Sequence, residues 1–183
     1  MRIIGGKARG TKLYTLEGEN TRPTLDRVKE SLFNIIQNEI RDSIFLDLFS
    51  GSGAIGLEAI SRGAKKAILC DKSQEAIKII KKNIEKTKFS EGIEVYLSDY
   101  EELLKNKINE KIDIIYIDPP YNTEFAYRAI QIITEKKLVE KTSLMIIETD
   151  RDEIKNDIKA LPIEVIDYRR YGRAKLIFVK KCE

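Results

Sequence analysis

The sequence predicts an α/β fold, a mainly parallel sheet covered by helices on both faces. Three observations predict it. Short apolar runs of strand length recur along the chain, amphipathic helical stretches separate them, and the first run ends in a glycine-rich turn that opens a helix. The runs are apolar throughout rather than alternating, which signals strands buried on both faces.

Residues 1–14 read as a short basic hairpin, with Arg2-Ile3-Ile4 and Lys12-Leu13-Tyr14 flanking a turn at Gly5-Gly6 to Gly10. A loop ends at Arg22-Pro23. Thr24 is placed to cap a helix whose apolar positions are Leu25, Val28, Leu32, Ile35 and Ile36. Ile44 to Leu48 is the first strand, and the glycine turn after it becomes a helix to about Arg62. Ala67 to Asp71 is the second strand. Ser73 to Thr87 is amphipathic, with Ala76, Ile77, Ile80 and Ile84 on one face. Ile93 to Leu97 and Ile112 to Asp118 are the third and fourth strands, a helix covers about Glu124 to Lys136, and Leu144 to Glu148 is the fifth strand. Ile163–Ile166 and Lys175–Val179 have no helix between them and should pair antiparallel. The division expected is a basic extension at 1–20 and one domain at 21–183.

The totals narrow the chemistry. The chain has 183 residues, 42% hydrophobic and 34% charged, enough for one domain with a real core. There is no histidine, which removes Ser-His-Asp and Cys-His nucleophilic machinery and the commonest general base. Cys70 and Cys182 alone make neither a disulfide framework nor a usual zinc site, so no metal is expected. No apolar run approaches the roughly 20 residues of a membrane span, and Met1-Arg2-Ile3-Ile4-Gly5 does not open a signal peptide, so a cytoplasmic location is expected. Net charge is +3, but Arg2, Lys7, Arg9 and Lys12 stand among the first twelve residues without an acid. A second basic cluster is Arg169, Arg170, Arg173 and Lys175. Two basic patches on a nearly neutral body suit either a polyanion partner or plain solvation.

The first candidate site follows the first strand. Gly51-Ser52-Gly53-Ala54-Ile55-Gly56 matches G-x-G-x-x-G, and Asp71 lies twenty residues after Gly51 at the end of the second strand. Glycines let backbone approach a ligand, and a carboxylate at that place accepts from both hydroxyls of a ribose. Asp47, just before the loop, would repel a pyrophosphate and suits a cationic ligand, which favours S-adenosylmethionine over NAD. Asp99 either accepts from an adenine amine or caps a helix at 100–106, and the two roles are compatible. Phe49, Lys72 and Tyr100 stand beside these acids and complete the cofactor-contact candidates.

The second candidate site is Asp118-Pro119-Pro120-Tyr121, at the end of the fourth strand. Two prolines stiffen the backbone and remove two N–H donors. What remains is a carboxylate, a carbonyl and a flat ring for stacking, which suit an NH2 group on an aromatic ring or an amide. Accepting both amine hydrogens frees the nitrogen lone pair. A sulfonium methyl is already activated, so orientation and electrostatics are what a protein must add.

With these motifs in place the chain resembles the bacterial 16S rRNA guanine-N2 methyltransferases of the RsmD family over almost its whole length. The likeness runs from Arg2-Ile3-Ile4-Gly5-Gly6-Lys7 through Arg22-Pro23-Thr24-Leu25-Asp26-Arg27-Val28 and the two sites to Tyr171-Gly172. It implies a Rossmann-like class I methyltransferase, with a seven-stranded, mostly parallel sheet and an antiparallel seventh strand. It implies S-adenosylmethionine as cofactor, S-adenosylhomocysteine as product, and 16S rRNA as partner, in the small subunit or an assembly intermediate; a monomer is expected, though no residue pattern fixes the oligomeric state. By the same likeness Thr24, or the helix N-terminus at it, meets the methionine carboxylate, Arg22 and Arg27 lie beside the cofactor pocket, and Arg2, Lys7, Arg9, Lys12, Arg22, Arg27 and Arg173 contact RNA. Family members often carry Phe where Tyr121 stands, a change that keeps the stacking face.

Other readings compete. Adenine-N6 DNA methyltransferases share Asp-Pro-Pro-Tyr but usually add a recognition domain for which this chain has no room. Glutamine methyltransferases favour Asn where Asp118 stands. A dehydrogenase explains the glycine loop but not Asp118 to Tyr121. A non-catalytic RNA-binding module on this scaffold would not need the intact glycines and Asp118.

Overall fold

The computed structural model describes every residue except 17–22, 90, 121–123, 152–153 and 183, and of residues 23–25 and 155–156 the backbone alone. Seven strands form one sheet: β1 (Ile44–Asp47), β2 (Lys66–Asp71), β3 (Ile93–Leu97), β4 (Ile114–Ile117), β5 (Leu144–Thr149), β6 (Ile163–Tyr171) and β7 (Ala174–Lys181). Their order is β3-β2-β1-β4-β5-β7-β6. The first five run parallel to one another, and β7 is antiparallel to both β5 and β6. The α/β class, the mixed seven-stranded sheet and the antiparallel last strand all agree with expectation.

The helices are α1 (Pro23–Ile35), α2 (Ala54–Ser61), α3 (Gln74–Thr87), the short α4 (Tyr100–Glu102), α5 (Phe125–Glu135) and α6 (Ile154–Asp157). A π-helical turn, Leu103–Lys107, continues α4. Alternate residues of each strand serve opposite faces. Leu46, Ile115, Ile117, Met145 and Ile177 pack with Leu103, Ala129, Ile130 and Ile133 on one side. Phe45, Ile114, Ile146 and Phe178 pack with Val28, Leu32 and Phe33 of α1 on the other. Both sets are fully buried, which is why the strands read as continuous apolar runs. The chain leaves β1 for α2 on one face and β4 for α5 on the other, so the two loops diverge and open a crevice at the carboxyl ends of these neighbours.

Of the boundaries that differ from the sequence reading, three have a clear local cause. Helix α1 begins at Pro23, so Thr24 lies in its first turn rather than at the cap; proline is well suited to the first helical position, where no N–H partner is lost. Strand β4 begins at Ile114, because the Ile112 N–H donates to the Leu138 carbonyl instead of a neighbouring strand. Strand β6 continues past Ile166 to Tyr171, through an irregularity between Val165 and Asp167, because β7 offers a partner for each added residue.

The N-terminal segment forms one antiparallel bridge, Arg2 to Lys12. Ile3 and Leu13 are buried against Ala54 and Leu57 of α2. Glu58 of α2, wholly buried, accepts from the Ile4 N–H at 2.9 Å and the Gly5 N–H at 2.8 Å. It also pairs with Lys29 at 3.2 Å and Arg62 at 2.8 Å, and Lys29 in turn donates to the Arg2 carbonyl. Burial, outweighing the pull of Glu58, holds the Lys29 pKa below its ordinary value. Gly6 has φ 76°, and a Cβ there would stand 1.8 Å from the Ser61 carbonyl oxygen, while the Lys7 N–H donates to that oxygen. Glycine at this position therefore serves close docking on the end of α2 as well as the turn. No helix among the described residues is long and apolar enough to cross a membrane.

Candidate active site

The glycine loop after β1 is locked before any ligand arrives. Ser50 continues the pairing of β1 with β2: its N–H donates to the Cys70 carbonyl, its hydroxyl donates to the Asp47 carbonyl at 2.8 Å, and the same oxygen accepts from the Cys70 N–H at 2.9 Å. Gly51 and Gly53 have φ of 52° and 79°, left-handed values that L side chains resist. Asp71, at the end of β2, ties the loop down: one carboxylate oxygen accepts from the Gly51 N–H and the other from the Ser73 N–H, each at 2.9 Å. A carboxylate has about four acceptor directions, so Asp71 retains capacity for hydroxyl donors.

A cavity of about 310 Å³ lies against this loop. Its lining includes Phe49, Gly51, Asp71, Lys72, Asp99 and Tyr100 from the first predicted site and Asp118, Pro119 and Pro120 from the second. The two motifs, more than sixty residues apart in sequence, thus share one wall. The volume falls in the range of small-ligand sites. Three rings form an aromatic floor: Phe49 stacks on Phe125 with centroids 6.3 Å apart, and Tyr100 lies 5.2 Å from each. Asp99 caps α4, accepting from the Glu101 N–H at 2.8 Å, while also standing on the cavity wall. Both roles read for it in the sequence are therefore available.

Three predicted contacts stand behind the wall rather than on it. Asp47 is 1% exposed and accepts from the Gly56 N–H at 3.2 Å. Burial pushes its carboxyl up to about 7, against the help of that hydrogen bond. Gly56 is buried between β1 and β2, where a Cβ would meet the Leu69 side chain at 2.2 Å, so it serves helix–sheet packing. Gly53 packs on Ile80 and supplies the turn. Asp47, expected to face a cationic ligand, is in this structure a buried acid beneath the loop. The Thr24 side chain, Arg22 and Tyr121 lie outside the described residues.

Beside Asp118, the Tyr116 hydroxyl donates to the Glu148 carboxylate, joining the ends of β4 and β5. Burial raises both pKa values, and the nearby charges of Glu148 and Asp118 raise that of Tyr116 further. Leu16, Ser98 and Phe125 also line the cavity and were missed by sequence reasoning. Only Phe125 left a signal, an aromatic residue at the start of the helix after Asp-Pro-Pro-Tyr. Among the described residues no group of three or more His, Cys, Asp or Glu side chains is placed to hold a metal.

The basic residues divide. Lys7, Arg9 and Lys12 are exposed on the docked N-terminal segment, and Arg2 reaches Asp26 at 3.9 Å. Arg27 is exposed on α1. Arg173 is exposed at the β6–β7 turn, which lies just beyond the carboxyl end of β5, since Thr149 pairs with Lys175. Lys175 itself is 3% exposed and donates to the Asp150 carbonyl, so it is a fastener and not part of a surface patch.

The family profile described as conserved hypothetical protein 95 matches residues 1–180. The ribosomal RNA small subunit methyltransferase D of Haemophilus influenzae is 39% identical over 155 residues, 84% of this chain and 80% of that protein. Its Escherichia coli namesake is 33% identical over 162 residues, 88% of this chain and 79% of that protein. The solved structure of Escherichia coli yhhF superposes with a TM-score of 0.85 at 29% identity, covering 100% of this chain and 98% of that one.

Proposed function

The chain belongs to the conserved hypothetical protein 95 family, that of the ribosomal RNA small subunit methyltransferases D, and from that premise we propose that it methylates the exocyclic N2 amine of a guanine in 16S rRNA. One observation carries the reading: Asp118, Pro119 and Pro120 line the same cavity as Gly51 and Asp71. An acceptor-rich, donor-poor turn faces the space that a nucleoside cofactor would fill.

The residues present fit S-adenosylmethionine. Asp71 would take the ribose hydroxyls, Asp99 the adenine amine, Phe49 and Tyr100 the purine face, with Gly51 and Lys72 beside them; by the family likeness the first turn of α1 at Thr24 would meet the methionine carboxylate. When bound, that group supplies an electrophilic methyl. Asp118 and the Pro119 carbonyl accept from the two amine hydrogens of guanine, holding the nitrogen lone pair toward the cofactor, and Tyr121 covers the ring. Once the amine has gained its fourth bond it is acidic, and the Asp118 carboxylate takes the proton. The prolines keep competing donors away and fix the distance at low entropic cost.

Residues 21–183 act as the methyltransferase domain and residues 1–20 as an RNA-gripping extension. Lys7, Arg9, Lys12 and Arg2, with Arg22, Arg27 and Arg173, meet phosphates of the small subunit or its assembly intermediate. All these residues come from one chain, so a monomer suffices.

Asp118→Ala tests the reading. With labelled S-adenosylmethionine and small subunits lacking the modification, turnover should fall by about 10²–10³ or more, while S-adenosylhomocysteine binding stays within about threefold, the effect of a residue spent on the transition state. Near-normal turnover in this variant would remove Asp118 from the chemistry, and mapping of the labelled base checks the target.

A further inference from the structure

Asn83 sits on α3 outside every motif and is wholly buried. Its Oδ1 accepts from the Tyr14 N–H at 2.7 Å, and its Nδ2 donates to the Tyr14 carbonyl and the Ser52 carbonyl, each at 2.9 Å. The pair of bonds to Tyr14 imitates one rung of a β ladder and fixes the direction in which the chain leaves that residue. Two residues further on, Leu16 forms part of the cavity wall, as does Gly51, the neighbour of Ser52. The Tyr14 ring is held from outside by Lys86, whose ammonium lies 4.2 Å from the ring centroid.

A buried amide is costly unless its donors and acceptors are met, and asparagine is a poor helix former. Here its side-chain bonds go not to its own helix but to two segments whose neighbours line the cavity, sixty-nine and thirty-one residues away. Aspartate would keep the acceptor and lose both donations, and leucine would fill the space with no bond at all.

We propose that Asn83 is a positioning residue for the cofactor site: it sets the Leu16 wall against the Gly51–Gly53 loop, and thereby governs cofactor affinity rather than the rate of methyl transfer. The proposal rests on the cofactor reading above. Wild-type protein that failed to bind S-adenosylhomocysteine in calorimetry would remove that reading itself, whereas the comparison among variants tests Asn83.

Asn83→Asp and Asn83→Ala should weaken S-adenosylhomocysteine binding and raise the KM for S-adenosylmethionine by about tenfold, with kcat at saturating cofactor within about threefold of wild type. Leu16→Ala, which removes no polar contact, should weaken binding by about threefold and add little to Asn83→Ala, because both act through one wall. A lowered Tm with cofactor affinity within twofold of wild type, in either Asn83 variant, would make Asn83 a stability residue only and overturn the proposal. If neither Asn83 variant folds, Leu16→Ala decides: unchanged affinity there overturns it too.

Discussion

Helix α2 lies between two buried carboxylates, Asp47 of β1 beneath its start and its own Glu58 toward its end, and the two are compensated differently. At its start, Asp47 lies beneath the glycine loop with one backbone N–H, that of Gly56, and no cation within ion-pair distance among the described residues. Toward its end, Glu58 receives two backbone N–H groups of the N-terminal segment, the Lys29 ammonium and the Arg62 guanidinium. Burial is equal, 1% against 0% exposed. The difference teaches what each end is for. Glu58 is a finished fastener whose partners all belong to the protein. Asp47 is an acid held up to about 7 by its surroundings, below the loop where a cationic cofactor is proposed.

Breaking the fastener should have the largest effect. Glu58→Ala strands the Lys29 ammonium in the interior and unties Ile4 and Gly5, a loss of about 3–5 kcal/mol in denaturant unfolding. A loss below about 1 kcal/mol, the scale of a surface pair, would mean that the network does not hold the segment. Gly6→Ala should cost less, about 2–3 kcal/mol, from a Cβ driven into the Ser61 backbone and from left-handed strain. Limited proteolysis within residues 1–16 should show the segment released in both variants.

A pH dependence sharpens the other half of the comparison. A carboxyl whose pKa is raised in the folded state gives stability that is whole below the unfolded value, near 3.8, and is lost as pH rises through about 7. Asp47→Asn keeps an acceptor for the Gly56 N–H and cannot ionise. Relative to wild type it should therefore gain stability steadily from pH 4 to pH 7, by up to about 4 kcal/mol in all. Parallel unfolding curves across that range would show that Asp47 is not held protonated.

The sheet was legible because its signal is dense. Phe45-Leu46 and Ile114 to Ile117 are apolar on both faces, and no helical or exposed segment of that length needs such a pattern. The cavity was legible in part, through residues whose type is itself unusual: the glycines at positive φ, the paired prolines, the acid at the end of β2. Glu58 and Lys29 were not legible, since an acid and a lysine on amphipathic helices ordinarily face water, and only the N-terminal segment lying over them makes them interior. Asn83 failed for the same reason. Leu16 failed because a lone leucine after a turn carries no pattern, and β6 was read too short because an exposed edge strand lacks the apolar run that marked its neighbours.

The place of β7 bears on how the molecule comes into being. Within the sheet it lies between β5 and β6, yet in the chain it follows both. During synthesis β6 emerges with no partner, because its only neighbour has not yet been made, and β5 keeps an open edge bordering Ile146 and Ile147. Nascent chains in that condition hold native-like pieces with unpaired edges, the state most open to misassembly and to chaperones. The turn at Gly172 and Arg173 joins β6 directly to β7, so neither ladder of Ala174–Lys181 can form until this strand has been made.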